Sequence, residues 1–298
     1  MVLRIFASAI NFNKPKMRFA KIMVATAILS SCTNGLHTDA EYDDTCEVVL
    51  SFQTEAVTRA STNPEDFFSK INLQLFNEAG EKVFNTVKTQ TKDEQSFGSF
   101  TLSLAPGKYT VVCVGHSSAK SATIKSATMV QFMASDGEKL TDTFSHCSEI
   151  EVDADSDHEL RMNRVAAMFV IKPTDIEVPE TFAKLRIDYT GGSANFNPTT
   201  GQGTNKSSQS ELRNPANEYQ CYTFPYMANE GKLQVTLTAL NADGAIIRSR
   251  SIADVPVTRN RITTYEGPIF EAGNGEIYQT NFGLTVNGEW DGEDHYTF

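Results

Sequence analysis

Apolar residues recur at every second position along most of this chain. Ile71, Leu73 and Leu75 alternate with Asn72 and Gln74, and Phe100, Leu102 and Leu104 repeat the pattern. Leu233, Val235, Leu237 and Ala239 do so again. A period of two lays those side chains on one face of a strand, whereas a helix needs a period near 3.6. Glu47 to Phe52 is a first strand candidate, and the continuous run Tyr109 to Val114 suits a strand buried on both faces. Turn residues separate these runs: Asn77-Glu78-Ala79-Gly80 before Val83-Phe84, and Ala105-Pro106-Gly107-Lys108 before Tyr109. No helical period is sustained over ten residues, although Asn63 to Ser69 can cap and start a single turn. The pattern predicts an all-β fold.

Two stretches resemble one another. Leu73 to Gly80 and Leu237 to Gly244 are both alternating strands that enter an Asn-x-x-Gly hairpin turn, where glycine supplies a positive φ. They lie about one domain length apart, as two β-sandwich modules in tandem would place them. The expected join is near Glu159 to Arg164. The acidic stretch Asp153-Ala154-Asp155-Ser156-Asp157 precedes it, and the apolar run Val165 to Ile171 follows, suited to a central strand or an interdomain seam. The expected organisation is a leader over 1–31, an acidic tether over 32–46, one sandwich over 47–160 and a second over 161–298. The stretch from Gly191-Gly192 to Ser210, rich in Gly, Ser, Thr and Asn, reads as a long exposed loop.

The amino-terminal region carries the most specific motif. Arg18 and Lys21 precede the apolar run Ile22 to Leu29, which is too short to span a bilayer, and Leu29-Ser30-Ser31-Cys32 closes it. This tetrad resembles the lipobox of bacterial lipoproteins, which implies lipid on the Cys32 thiol and cleavage before it. The competing reading, an ordinary secretory signal, lacks an Ala-x-Ala cleavage site where one is needed. Met17 alone opens a complete signal, so Met1 to Lys16 reads as an upstream extension. Losing Met1 to Ser31 removes five basic residues and no acidic one, taking the formal charge from -11 to -16. So acidic a chain argues against nucleic acid and against electrostatic adhesion to anionic lipid.

Residue types that could carry chemistry are present in the wrong arrangements. Asp153, Asp155, Asp157 and Glu159 alternate like the start of a calcium loop, but His158 stands at its glycine position and Arg164 at its bidentate acid. Cys113, His116, His146 and Cys147 are zinc-type ligands at spacings of no compact zinc module. Gly201 to Ser207 lacks the Gly-x4-Gly-Lys spacing of a phosphate loop, and there is no Gly-x-Ser-x-Gly elbow. The reading is no enzyme, no cofactor and no metal. Export permits disulfides; a Cys113–Cys147 bridge and inert thiols at Cys46, Cys113, Cys147 and Cys221 both stay open.

Several stretches in order, Asp142-Thr143-Phe144, Arg164 to Phe169, Tyr189-Thr190-Gly191-Gly192-Ser193 and Val255 to Gly267, resemble the FimB-type fimbrial anchor and subunit family of type V pili. The resemblance spans nearly the whole mature chain. It implies two transthyretin-like β-sandwiches, an outer-membrane lipid tether, and fimbrillin-like partner subunits joined by β-strand addition. In stalk relatives a protease cuts after an arginine and removes the first strand; Arg59-Ala60 is similar to that site, and its other reading is an exposed connector. Anchor members keep lipid and strand, and here the C-terminal segment Glu289 to Phe298 is expected to pack into the chain's own second sandwich. One departure is that the first acidic residue after Cys32 is Asp39. The alternative function is a surface lipoprotein that binds a glycan or other ligand; aromatic platforms would be its signature, and Trp290 is the one tryptophan.

Overall fold

The computed structural model describes residues 45–54, 63–133, 140–271, 282–285, 290 and 292–297. Among them the chain is all β, interrupted only by two single 3-10 turns, at Pro64–Asp66 and Met227–Asn229. The first turn is capped as its sequence predicts, with Asn63 accepting from the Glu65 N–H.

The first part of the chain builds β1 (Cys46–Thr54), β2 (Lys70–Asn77), β3 (Lys88–Thr91), β4 (Ser99–Leu104) and β5 (Gly107–His116). After β6 (Thr123–Ser126) and β7 (Met129–Gln131) come β8 (Thr143–Val152) and β9 (Ser156–Arg164). Seven of these strands run in the order β3-β2-β5-β8-β9-β1-β4. The β8–β9 pairing is confined to Phe144–Arg164 and Ser145–Asn163, so the ribbon folds there into two facing layers. Between the layers lie Val48, Leu50, Leu73, Leu75, Val111, Cys113 and Met162, all fully buried. The solvated turn between β8 and β9 contains Asp153 and Asp155, and Asp155 accepts from the Glu47 N–H at 2.7 Å.

Val165 and Ala166 carry the chain from β9 into β10 (Ala167–Pro173). Next come β11 (Lys184–Thr190), β12 (Asn195–Asn197), β13 (Gln202–Gly203), β14 (Ser208–Arg213) and β15 (Tyr219–Thr223). The last are β16 (Lys232–Leu240), β17 (Ile246–Pro256), β18 (Arg261–Gly267), β19 (Phe282–Thr285) and β20 (Gly292–Thr297). The sheets β15-β10-β18-β20-β19 and β14-β11-β16-β17 enclose a second core that includes Phe169, Ile187, Leu237 and Tyr265. The C-terminal strand β20 runs parallel to β18, and Tyr296 stacks on Tyr265 with ring centroids 4.9 Å apart.

The two related turns have the same hydrogen bonds. Gly80 N–H donates to Asn77 O and Gly244 N–H to Asn241 O, with φ of 75° and 80° at the glycines. Asn77 and Asn241 each accept, through Oδ1, from the N–H four residues on. The chain leaves the two turns differently. The second leads into β17, whereas after the first Val83-Phe84 forms no strand, and only a bridge at Lys82 pairs with Phe76. Val83 and Phe84 instead fold their side chains against the first core.

A fourth sheet, β13-β12-β7-β6, takes two strands from each half of the chain. It overturns the exposed-loop reading of Gly191 to Ser210. Asn195 and Phe196 pair with Gln131 and Val130, and Phe196 is fully buried with Phe224, Val130 and Ile124. The polar residues that suggest a loop satisfy one another: Ser193 Oγ donates to Asn195 O, and Asn195 Nδ2 to Asn205 Oδ1. The same sheet covers the outer face of β2 and β5, which explains why β2 is buried on both sides despite its alternation.

Candidate functional site

Cys32, Arg59 and Ala60 lie outside the described residues, as does most of the 32–46 tether. The strand between Cys32 and Arg59 is described in full. β1 lies inside its sheet, parallel to β9 from Val48–Ser156 to Thr54–Met162 and antiparallel to β4 from Cys46–Leu104 to Ser51–Ser99. Alternation drives Val48, Leu50 and Phe52 into the core, where each is at most 3 % exposed. Beyond β4 the corner of the sandwich is closed by Gln90 of β3, whose amide donates to Ser99 O and accepts from Gly98 N–H. β1 therefore occupies a slot with two walls, either of which is an unpaired strand edge once β1 is gone.

Three of the four stretches that carry the family resemblance converge on the joint between the two sandwiches. Arg164, at the end of β9, donates through Nε to both Asp142 oxygens at 2.9 and 3.0 Å and through Nη1 to Asn260 Oδ1 at 3.1 Å. Its guanidinium lies 4.6 Å from the Phe144 ring centroid and 4.0 Å from that of Trp290. A planar cation can satisfy carboxylate, amide and two rings at once, which a lysine cannot. Asn260 adopts a left-handed φ of 57°, and its N–H donates to Ala166 O, tying the turn before β18 to the connection. A cleft of about 480 Å³ opens beside this joint, lined by Asp66, Glu218, Gln220 and Tyr222. Burial and the neighbouring Asp142 push the Tyr222 hydroxyl up to about 12. Trp290 is 6 % exposed beneath Arg164 and presents no open aromatic platform.

Tyr189-Thr190-Gly191-Gly192-Ser193 is a packing device. Tyr189 donates to buried Glu211, which Arg213 neutralises, and burial with that carboxylate raises the phenol's pKa well above its usual value. A Cβ on Gly192 would stand 2.0 Å from Thr223 Oγ1, and one on Gly191, at φ +111°, would stand 2.3 Å from Lys232 O. Gly192→Ala is therefore expected to cost about 1–3 kcal/mol through overpacking. The measurement is the urea midpoint, and an unchanged midpoint would refute this account of the glycine pair.

The zinc-type residues are brought to neighbouring strands but divided between faces. Cys113 stands opposite His146 in the β5–β8 ladder, on the side of the first core, where Phe52 meets the His146 ring. Val112 stands opposite Cys147, on the other side, which His116 shares. Cys113 and Cys147 thus point to opposite faces and are not bridged. Burial raises the Cys113 thiol well above its usual pKa, as expected of an inert core residue.

One buried polar hub carries no signal in the sequence. His116 Nε2 bonds Asn72 Oδ1 at 2.8 Å, while its Nδ1 accepts from Ser118 N–H at 3.1 Å. Asn72 Oδ1 also accepts from Ala122 N–H, and its amide donates to Thr89. Alternation alone puts Asn72 and Gln74 on the solvent face of β2, and nothing local indicates that a second layer covers them.

Residues 41–298 match the model of a family of unknown function, DUF6562. A search of curated proteins gives no match. Among solved structures, a candidate polysaccharide-binding protein (DUF1812) from Bacteroides thetaiotaomicron aligns with TM-score 0.48 and 11% identity, over 68% of this chain and 79% of that one. A fimbrial assembly protein from Parabacteroides distasonis aligns with TM-score 0.44 and 14% identity, over 75% and 91%. The fimbrial anchor protein Mfa2 from Porphyromonas gingivalis aligns with TM-score 0.39 and 13% identity, over 70% and 83%.

Proposed function

We propose that this chain, which belongs to the DUF6562 family, is a lipid-tethered surface protein that anchors or joins a fimbria, with no enzymatic role. The observation that carries this reading is the position of β1. The strand that succeeds the lipobox is interior and wedged between a parallel and an antiparallel neighbour. Force on an acylated Cys32 would act along β1 and load both ladders together in shear, which is a geometry fit for anchoring. Removing β1 would expose a slot that formerly held Val48, Leu50 and Phe52, each worth about 1.5–3 kcal/mol of burial. A strand from a fimbrillin-like neighbour could refill it by edge addition. The C-terminal strand pairs parallel to β18 within its own sandwich, so this chain needs no donor there, as suits an anchor in the outer membrane.

Labelling with a palmitate analogue, together with mass spectrometry of the protein on intact cells, tests the proposal. An acylated species beginning at Cys32, with label lost in Cys32→Ser, is expected. A dominant species beginning at Ala60 would make the chain a polymerising subunit, and an unlabelled wild-type protein would overturn the lipid tether. The glycan-binding alternative needs exposed aromatic platforms, and the covered position of Trp290 weakens it.

A further inference from the structure

The end of the second sandwich that lies away from the joint carries a socket. β10 starts at the joint with Ala167 and finishes at Pro173, and around that end Phe182, Tyr219, Phe270, Val178 and Ala216 line a cavity of about 240 Å³. The wall is held rigidly. Asp175 accepts from the N–H groups of Ile269, Phe270 and Glu271 at 2.6, 2.6 and 3.1 Å, and Glu271 Oε1 accepts from Ile176 N–H at 3.1 Å. Phe182 meets Phe270 edge to face with centroids 5.0 Å apart. Beside the cavity, Ile176 is 91 % exposed and Val178 54 %. A fixed loop that holds two large apolar side chains in water beside a hollow walled by aromatic rings, with Asp175 and Asn217 in its lining, has the form of a binding anchor point.

Charge identifies the occupant. Glu177, Glu180 and Glu271 are exposed around the cavity: Glu177 and Glu271 adjoin lining residues in sequence, and Glu180 lies between Val178 and Phe182. Arg250, bonded to the carbonyls of Ile269 and Glu271, and Lys184, bonded to Asn214, offset them in part, but with Asp175 in the wall the carboxylates outnumber these cations. A second copy of this chain docked face to face would bring the same glutamates together, which disfavours self-association. We infer that this socket docks a segment of another protein that presents one large apolar side chain flanked by lysine or arginine. The cavity has room for one Leu, Ile, Met or Phe side chain, and the rim supplies attraction and register for the flanking cations. The inference uses neither the lipid tether nor the β1 slot, so its failure leaves the anchoring proposal standing, and the reverse.

The test is selection of a phage-displayed random dodecapeptide library on the purified full chain carrying Cys32→Ser. Selected peptides are expected to share an apolar residue beside Lys or Arg, and a synthetic consensus peptide should bind more weakly as salt rises. Ala216→Trp, which fills the socket, should weaken that peptide about tenfold or more. Glu177→Gln with Glu180→Gln should weaken it too while leaving the melting temperature unchanged. If Ala216→Trp does not fold by circular dichroism, the glutamate variant alone decides. Selection without that consensus, or binding unchanged in the decisive variants, overturns the inference. So does a wild-type dimer in sedimentation that Ala216→Trp abolishes, since the occupant is then a second copy.

Discussion

Arg164→Ala is expected to destabilise the folded chain by about 3–5 kcal/mol, the usual consequence of removing one partner from a buried ion pair. The Arg164 side chain is 6 % exposed and that of Asp142 21 %, so the remaining carboxylate would be only partly hydrated. The loss also strips the cation from the faces of Phe144 and Trp290. Arg164→Lys should recover little, because an ammonium cannot donate as a planar fork while stacking on two rings. Trp290 makes the experiment direct: as the one tryptophan, buried under Arg164, its emission should shift to the red in the variant before global unfolding. Urea denaturation monitored by this fluorescence gives the energy. A loss below about 1 kcal/mol, typical of a surface pair, would show that the joint does not depend on Arg164. A double-mutant cycle with Asp142→Asn should show coupling, because the two side chains share one network.

The second large effect is acid destabilisation through His116. Burial, and then the neighbouring Lys70, lower its pKa from 6.5 to about 3. The unfolded chain takes up this proton near pH 6.5 and the folded chain only near 3, so between those values unfolding binds a proton and acid favours it. The neutral imidazole's contribution is complete above pH 6.5, is lost as pH falls through that window, and levels off below about 3. The whole effect is of the order of 5 kcal/mol, most of it expressed by pH 4. His146, also lowered by burial, adds a contribution of the same sign. Comparing urea midpoints of wild type and His116→Gln at pH 7 and pH 4 isolates the term. The variant should lose less stability on acidification; equal losses would show that His116 is not held neutral. Protonation at Nδ1 would break the bond accepted from Ser118 N–H and leave that donor unpaired.

The paired turns at Asn77–Gly80 and Asn241–Gly244 are legible because their cause is local. Glycine tolerates positive φ, and an asparagine side chain closes its own turn, whatever lies elsewhere in the chain. The strands around Ile71, Phe100 and Leu233 are legible for the same reason, since a period of two is written into consecutive residues. Val165 to Ile171 reads as a central strand or as a seam; Ala167 onward lies centrally between β15 and β18, while Val165 and Ala166 sit in the cluster beneath the bridging sheet. Gly191 to Ser210 reads wrongly as an exposed loop because composition reports average exposure, while Phe196 is held by a strand from the other half of the chain.

The sequence by itself determined the all-β class, most strand positions and both Asn-x-x-Gly turns, because alternation and turn chemistry act among near neighbours. The tertiary structure decided which strands pair, and with that the face on which each side chain lies. A strand's two faces are equivalent until something covers one of them. Only when β6 and β7 join β12 and β13 over the outer face of β2 and β5 do Asn72 and His116 become a buried hub. Only the return of β9 beside Phe144, with β18 arriving from the far part of the chain, places Arg164 between Asp142 and Asn260. Such contacts are stabilised by burial across long loops, whose closure entropy grows only slowly with length, so local sequence carries little trace of them.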